Sequence, residues 1–192
     1  MICDEDTQQR ENRQRFEGTA MNTKLSAFEI LTMAEAIERD SVDFYREAAR
    51  RFDDEERRKM FFLLAGWERK HEEVFSAMKR ELTDVLNEAK NFDFSNILSP
   101  NPQRLVGLAS LAPGSVSRTE LTGEETKEDI LELAVTRERN IVAFYYDLVG
   151  VMGDFIGESK IDDIIKEEQS HIGILRRAIE KFSDPQLERY SS

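Results

Sequence analysis

Cysteine is almost absent from this chain of 192 residues; the single one, Cys3, lies in a polar N-terminal stretch. A disulfide framework within the chain is therefore excluded, and so is any iron or zinc site made of four thiolates. Long apolar runs are missing as well. None approaches the roughly 18 residues that a membrane span requires, and the polar N-terminus lacks the apolar core of a secretion signal, so the expected compartment is the cytoplasm. Positive charge is in short supply: 27 lysines and arginines stand against 39 aspartates and glutamates, a formal net charge of −12. So acidic a surface repels phosphate backbones, which argues against nucleic acid as a partner. Proline (4) and glycine (9) are sparse and clustered, and there are only two histidines. With 34% charged and 40% hydrophobic residues, what remains is the composition of a helical protein large enough to bury one core.

Residues 1–24 show no apolar periodicity and read as a flexible polar tail, with Met21 a candidate natural start. The domain proper is expected over 25–185. Four helical stretches follow the tail, at about 27–51, 55–89, 127–149 and 160–182, each with apolar residues at helical spacing. Three have capping boxes at their starts: Ser26-x-x-Glu29, Thr126-x-x-Asp129 and Ser159-x-x-Asp162. The second opens with Asp53, Asp54, Glu55 and Glu56, which suit the positive end of a helix dipole. Pro185 marks the end of the fourth. Two connections are short, one around Asp53 and one bearing Gly150, Gly153 and Gly157, so each joins an antiparallel hairpin. The middle connection, about 90–125, carries Pro100, Pro102, Pro113, Gly107, Gly114 and Gly123, with a short helix expected at Leu105 to Ala112. It is long enough to cross the length of a bundle, so that the second hairpin packs on the first.

A heptad stripe runs along each helix and should face the core. The first reads Leu31, Ala34, Glu38, Ser41, Tyr45, Ala48, Phe52, and the third Leu131, Ala134, Glu138, Ile141, Tyr145, Leu148, Met152. The second reads Phe61, Leu64, Glu68, His71, Phe75, Met78, Leu82, and the fourth Ile161, Ile164, Glu168, His171, Leu175, Ala178, Phe182. Each stripe is broken at one level by a carboxylate or a Glu-x-x-His pair. The halves repeat: Glu38, Phe44-Tyr45, Glu68 and His71 recur as Glu138, Phe144-Tyr145, Glu168 and His171, each displaced by 100 residues.

In an antiparallel hairpin, residues equidistant from the turn share a height. Residue 53, midway between Glu38 and Glu68, lies in the first turn; residue 153, midway between Glu138 and Glu168, lies in the second. Glu and His three apart share a helix face. Four carboxylates and two imidazoles therefore converge at one core level when the hairpins pack at matched heights. Burying four carboxylates costs several kcal/mol apiece unless cations neutralise them; two metal ions would do so. Oxygen ligands with one imidazole per ion suit iron or manganese, with zinc able to occupy the site without redox chemistry. The expected arrangement has Glu38 and Glu138 terminal, Glu68 and Glu168 bridging, and His71 and His171 capping one ion each, the pattern of ferritin-like di-iron bundles. Tyr45 and Tyr145 are candidate hydrogen-bond donors or redox relays, the alternative being core tyrosines with a satisfied hydroxyl. Glu35 is a candidate extra ligand and Glu167 a candidate carboxylate partner for His71 across the bundle, where the repeat has Trp67.

Glu38 with Phe44-Tyr45, Glu68-x-x-His71, Glu138 with Phe144-Tyr145 and Glu168-x-x-His171 together resemble the rubrerythrin-like branch of the ferritin-like superfamily. The resemblance covers residues 27–182 apart from the middle connection. It implies an all-α, ferritin-like four-helix bundle of two hairpins joined by a long crossover, holding two iron ions that cycle between ferrous and ferric states and reduce peroxide or dioxygen. Rubrerythrins carry a four-cysteine rubredoxin centre; this sequence has none, so the resemblance implies an external electron donor such as a rubredoxin-type protein. Rubrerythrins also place a further glutamate one turn after the terminal ligand of the third helix, where this chain has Ile141, and Ser41 in the repeat. Bacterioferritins share the two Glu-x-x-His motifs but bind haem through a methionine after the first Glu. Here that residue is Arg69, with Gln169 in the repeat, so no haem is implied. Two other functions share the ligand set: a ferroxidase or iron-storage subunit, and a di-iron hydroxylase with an organic substrate. Association as a homodimer is expected.

Overall fold

The computed structural model describes residues 27–88, 121–152 and 158–183. Within them lie four helices and no strands: α1 (Ala27–Arg51), α2 (Glu55–Glu88), α3 (Lys127–Met152) and α4 (Glu158–Ser183). Helix α1 pairs with α2 and α3 with α4, and the two hairpins meet through α1 on α3 and α2 on α4. This is the four-helix bundle expected from the stripes. No helix among the described residues is long and apolar enough to cross a membrane. The N-terminal tail, the candidate helix 105–112, Pro185 and Ser26 lie outside the described residues.

The helix starts follow local chemistry. Asp54 caps α2, its carboxylate accepting the backbone N–H of Arg57 at 2.8 Å. At α3 the capping box forms in both directions: the Asp129 N–H donates to Thr126 Oγ1 at 3.1 Å, and the Thr126 N–H donates back to Asp129 Oδ2 at 2.9 Å. Just upstream, Gly123 takes a positive φ of 96°, which leaves the amides of Thr122 and Gly123 free to converge on the Glu125 carboxylate. Those bonds, the Thr122 amide first, hold Glu125 down to about 2. Two boundaries differ from the sequence reading. Helix α3 runs to Met152, through Gly150, because one glycine costs a helix only about 1 kcal/mol and does not end it. Helix α4 begins at Glu158, so Ser159 lies inside its first turn rather than at its cap.

The stripes, that of α3 as far as Leu148, are buried as their spacing requires, with Phe182 half-exposed at the end of α4. They do not form one continuous apolar core. One cluster, with Leu31, Phe75, Met78, Phe144, Tyr145 and Ile161, fills the end near the α3–α4 turn. The other, with Tyr45, Phe52, Phe61, Leu64, Leu131 and Leu175, fills the end near the α1–α2 turn. Between them lies a layer of buried charge.

Candidate metal centre

That layer consists of Glu38 from α1, Glu68 and His71 from α2, Glu138 from α3, and Glu168 and His171 from α4. All four glutamates are 0% exposed, and the histidines are 2% and 3% exposed. The single level arises from the hairpin arithmetic: residues equidistant from each turn meet, and three-residue spacing puts each Glu and His on one face. Nδ1 of each histidine points inward. His171 Nδ1 lies 2.9 Å from Glu168 and 3.1 Å from Glu68. His71 Nδ1 lies 2.9 Å from Glu168, 3.5 Å from Glu68 and 3.9 Å from Glu38.

The ligand atoms form two overlapping groups, Glu38–Glu68–His71–Glu168 and Glu68–Glu138–Glu168–His171. The atoms of each lie within 4.8 Å of one another. Glu68 and Glu168 belong to both, and each other residue to one. Both oxygens of Glu68, and one each of Glu38, Glu138 and Glu168, are buried without a hydrogen-bond partner, as is His71 Nδ1, whose close approach to Glu168 lacks hydrogen-bond alignment. A protein rarely leaves so many polar atoms unmet in its interior. An oxygen-rich donor set with one imidazole in each group fits two metal ions sharing two carboxylates.

Two tyrosines cap the layer from the apolar clusters. Tyr45 of α1 donates its hydroxyl to Glu138 Oε1 of α3, and Tyr145 of α3 donates to Glu38 Oε1 of α1. Each thus reaches across to the other hairpin. Burial first, then the charges of the nearby glutamates, raises both phenols well above their ordinary value, so they remain protonated donors.

The electrostatics of the metal-free layer divide the carboxylates into two kinds. Burial, then the charges of Glu168 and Glu68, pushes Glu38 and Glu138 well above the usual carboxylate range. Burial also opposes ionisation of Glu68 and Glu168, but the His171 and His71 imidazoles lying against them outweigh it and hold both below that range. The histidines respond in kind: burial disfavours their charge, yet Glu168 and Glu68 push His71 up to about 12 and His171 up to about 9. Without metal, then, two imidazolium ions balance the two shared carboxylates, while the terminal pair is held toward its neutral form.

The sequence model of the rubrerythrin family matches residues 29–179, which takes in all six centre residues. The chain belongs to the rubrerythrin family. No curated protein matches it. Among solved structures it is similar to a protein from Thermotoga maritima described as a ferritin-like diiron-carboxylate protein. The identity is 21% and the TM-score 0.54, over 82% of this chain and 96% of that one. At that identity the likeness speaks for the fold alone.

Beside the six, the other positions that the sequence singled out resolve as follows. Glu167 Oε2 lies 2.9 Å from His71 Nε2, across the α2–α4 contact. Glu35 does not join the centre. Its carboxylate accepts from Lys79 at 2.5 Å and Arg39 at 3.2 Å, because one turn before Glu38 the side chain falls among the cations of the α1–α2 groove. Nor is it freely solvated. The hydroxyl of Ser41, the repeat counterpart of Ile141, accepts from Arg137 Nε at 3.0 Å. Arg137 is 6% exposed, lies over the Phe44 ring at 5.5 Å, and donates to the carbonyl of Ile37. Neither Arg137 nor the buried Glu72, which is paired with Arg39 and Arg69, stood out in the sequence. The available signal was their position next to a ligand: Arg137 precedes Glu138, and Glu72 follows His71.

Proposed function

We propose that this protein is a non-haem di-iron oxidoreductase that reduces peroxide or dioxygen with electrons from an external donor such as a rubredoxin-type protein. The observation that carries the reading is the pair of carboxylate–imidazole groups sharing Glu68 and Glu168, with their oxygens buried and unmatched. Glu38 and His71 would hold one iron and Glu138 and His171 the other. Two irons held there would supply the two electrons that reduce peroxide to water or dioxygen to peroxide, and the external donor would restore them. The surrounding residues serve that chemistry in three ways. The apolar clusters exclude bulk water on both sides of the layer, which strengthens every charge interaction within it. Tyr45 and Tyr145 hold protons at Glu138 Oε1 and Glu38 Oε1, fixing the orientation of the terminal carboxylates and keeping a proton beside each. Trp67, stacked on His171, closes one flank.

The test is anaerobic reconstitution followed by stopped-flow mixing of the ferrous protein with peroxide or dioxygen. Two irons per chain and rapid oxidation, followed by re-reduction when a reduced rubredoxin is added, are expected. One ion or none would overturn the two-metal reading. Two ions without oxidation would overturn the enzyme. A cage of many subunits on size-exclusion chromatography, in place of the expected homodimer, would point to iron storage.

A further inference from the structure

The repeat brings identical ligands to the centre from both halves, but the pair of equivalent positions that face the two imidazoles differs. Residue 167 faces His71 and residue 67 faces His171. At 167 stands a glutamate whose Oε2 is 2.9 Å from His71 Nε2. At 67 stands a tryptophan whose ring stacks on His171, with 5.1 Å between centroids and 10° between planes. Among the described residues, the polar contacts of His171 are made through Nδ1, and none reaches its Nε2 by a hydrogen bond.

We propose that Glu167 and Trp67 make the two metal positions inequivalent. Glu167 is a positioning residue that gives the Glu38–Glu68–His71–Glu168 position the tighter hold on its ion. The inference rests on the two-metal reading above. A carboxylate that accepts the Nε2–H of an imidazole fixes the tautomer, leaves the Nδ1 lone pair directed at the centre, and makes that nitrogen a more basic ligand. The face of an indole offers no such acceptor. Trp67 fixes the plane of His171 by packing and leaves Nδ1 with the basicity of an unassisted imidazole. Two further features single out Glu167. Its side chain is 59% exposed, so it fills no space in the core and its removal leaves no cavity. It also forms its bond between hairpins, from α4 to α2, so that His71 is oriented only once the bundle has closed.

Isothermal titration of metal-free protein with Mn²⁺ under anaerobic conditions tests this without reference to turnover. Repulsion between two bound ions also separates binding steps, so each position is read alone. The His171→Ala protein retains the His71 position, and the His71→Ala protein retains the other. Adding Glu167→Ala to the first is expected to weaken its ion by about 10–100-fold, the range found when such an outer carboxylate is removed. Adding it to the second should change nothing. Glu167→Gln, which still accepts the Nε2–H but carries no charge, should recover part of the loss. Trp67→Glu in the His71→Ala background should tighten the His171 position. Equal loss in both backgrounds, or none in either, would overturn the proposal. A parent protein that binds fewer than two ions would overturn the two-metal reading instead, so the two failures are distinguishable. Helix content by circular dichroism checks that each variant folds.

Discussion

The α1–α2 and α3–α4 hairpins carry the same ligands at the same intervals, yet their surroundings have diverged. Where α1 has Ile37 and Ser41, α3 has Arg137 and Ile141; where α2 has Trp67 and Glu72, α4 has Glu167 and Ile172. The ligand positions tolerate no divergence, because any one lost would leave a buried charge without a partner. Of the flanking residues, Arg137, Glu167 and Trp67 touch the neighbouring hairpin, and need only complement whatever faces them. Arg137 thus meets Ser41, and Glu167 meets His71, each across the interface between halves. The lesson is that a duplicated site stays symmetric in its ligands and becomes asymmetric through the groups that orient them.

The largest expected effect breaks the ligand symmetry itself. His71→Ala and His171→Ala each remove the one imidazole of a group. Each should slow oxidation of the ferrous protein by more than about 100-fold, beyond the range of an outer-sphere change, with helix content retained. Stopped-flow absorbance on each variant checks this. Parent-like rates in both would make the centre structural.

Next comes removal of the metal. At a free concentration about 1,000 times its dissociation constant, the ion should stabilise the fold by about 4 kcal/mol, read as a rise in melting temperature. The stability of the metal-free form should also depend on pH. Glu38 and Glu138 have folded-state values raised above 4.5, so their contribution is fully present below that value and is lost as pH rises through the raised values. His71 and His171 are raised from 6.5 to about 12 and about 9, so theirs is lost first near 9 and then near 12. Glu68 and Glu168 are lowered and act in the opposite sense, losing their contribution only in strong acid. Melting curves of metal-free protein from about pH 5 to pH 10 should therefore fall with rising pH more steeply than those of the loaded form. Because both histidines hold protons at neutral pH, loading two ions should also release at least one proton from each, countable in weakly buffered solution.

The tyrosines sharpen the comparison at smaller scale. Tyr45→Phe and Tyr145→Phe each leave a buried carboxylate oxygen without its donor, and each should cost about 1–3 kcal/mol in urea unfolding. Equal costs would show that the cross-hairpin bonds remain symmetric; a difference of more than about 1 kcal/mol would show that they have diverged as well. The smallest effect is at Glu35. Its ion pair with Lys79 is partly buried and that with Arg39 is largely exposed, so Glu35→Ala should cost about 1 kcal/mol. It should leave ferrous oxidation unchanged, and a large loss of rate would bring it back into the centre.

The sequence by itself determined the six centre residues and the helices that carry them. Periodicity names the inward face of each helix, and the distance from each turn names the level, so Glu38, Glu68, Glu138 and Glu168 had to meet with His71 and His171. Capping chemistry placed the starts of α2 and α3. Helix ends were less legible where a glycine was read as a stop, since packing along α3 outweighs the propensity cost of Gly150. Only the tertiary structure decided which flanking group meets which ligand. Tyr45 passes Glu38 of its own helix and bonds Glu138, Glu35 turns to Lys79, and Arg137 rests on Ser41. The physical reason is that spacing along one helix fixes direction about that helix's own axis. What stands at the end of a long side chain depends on how the neighbouring helix is rotated and offset, and packing of all four helices together sets that.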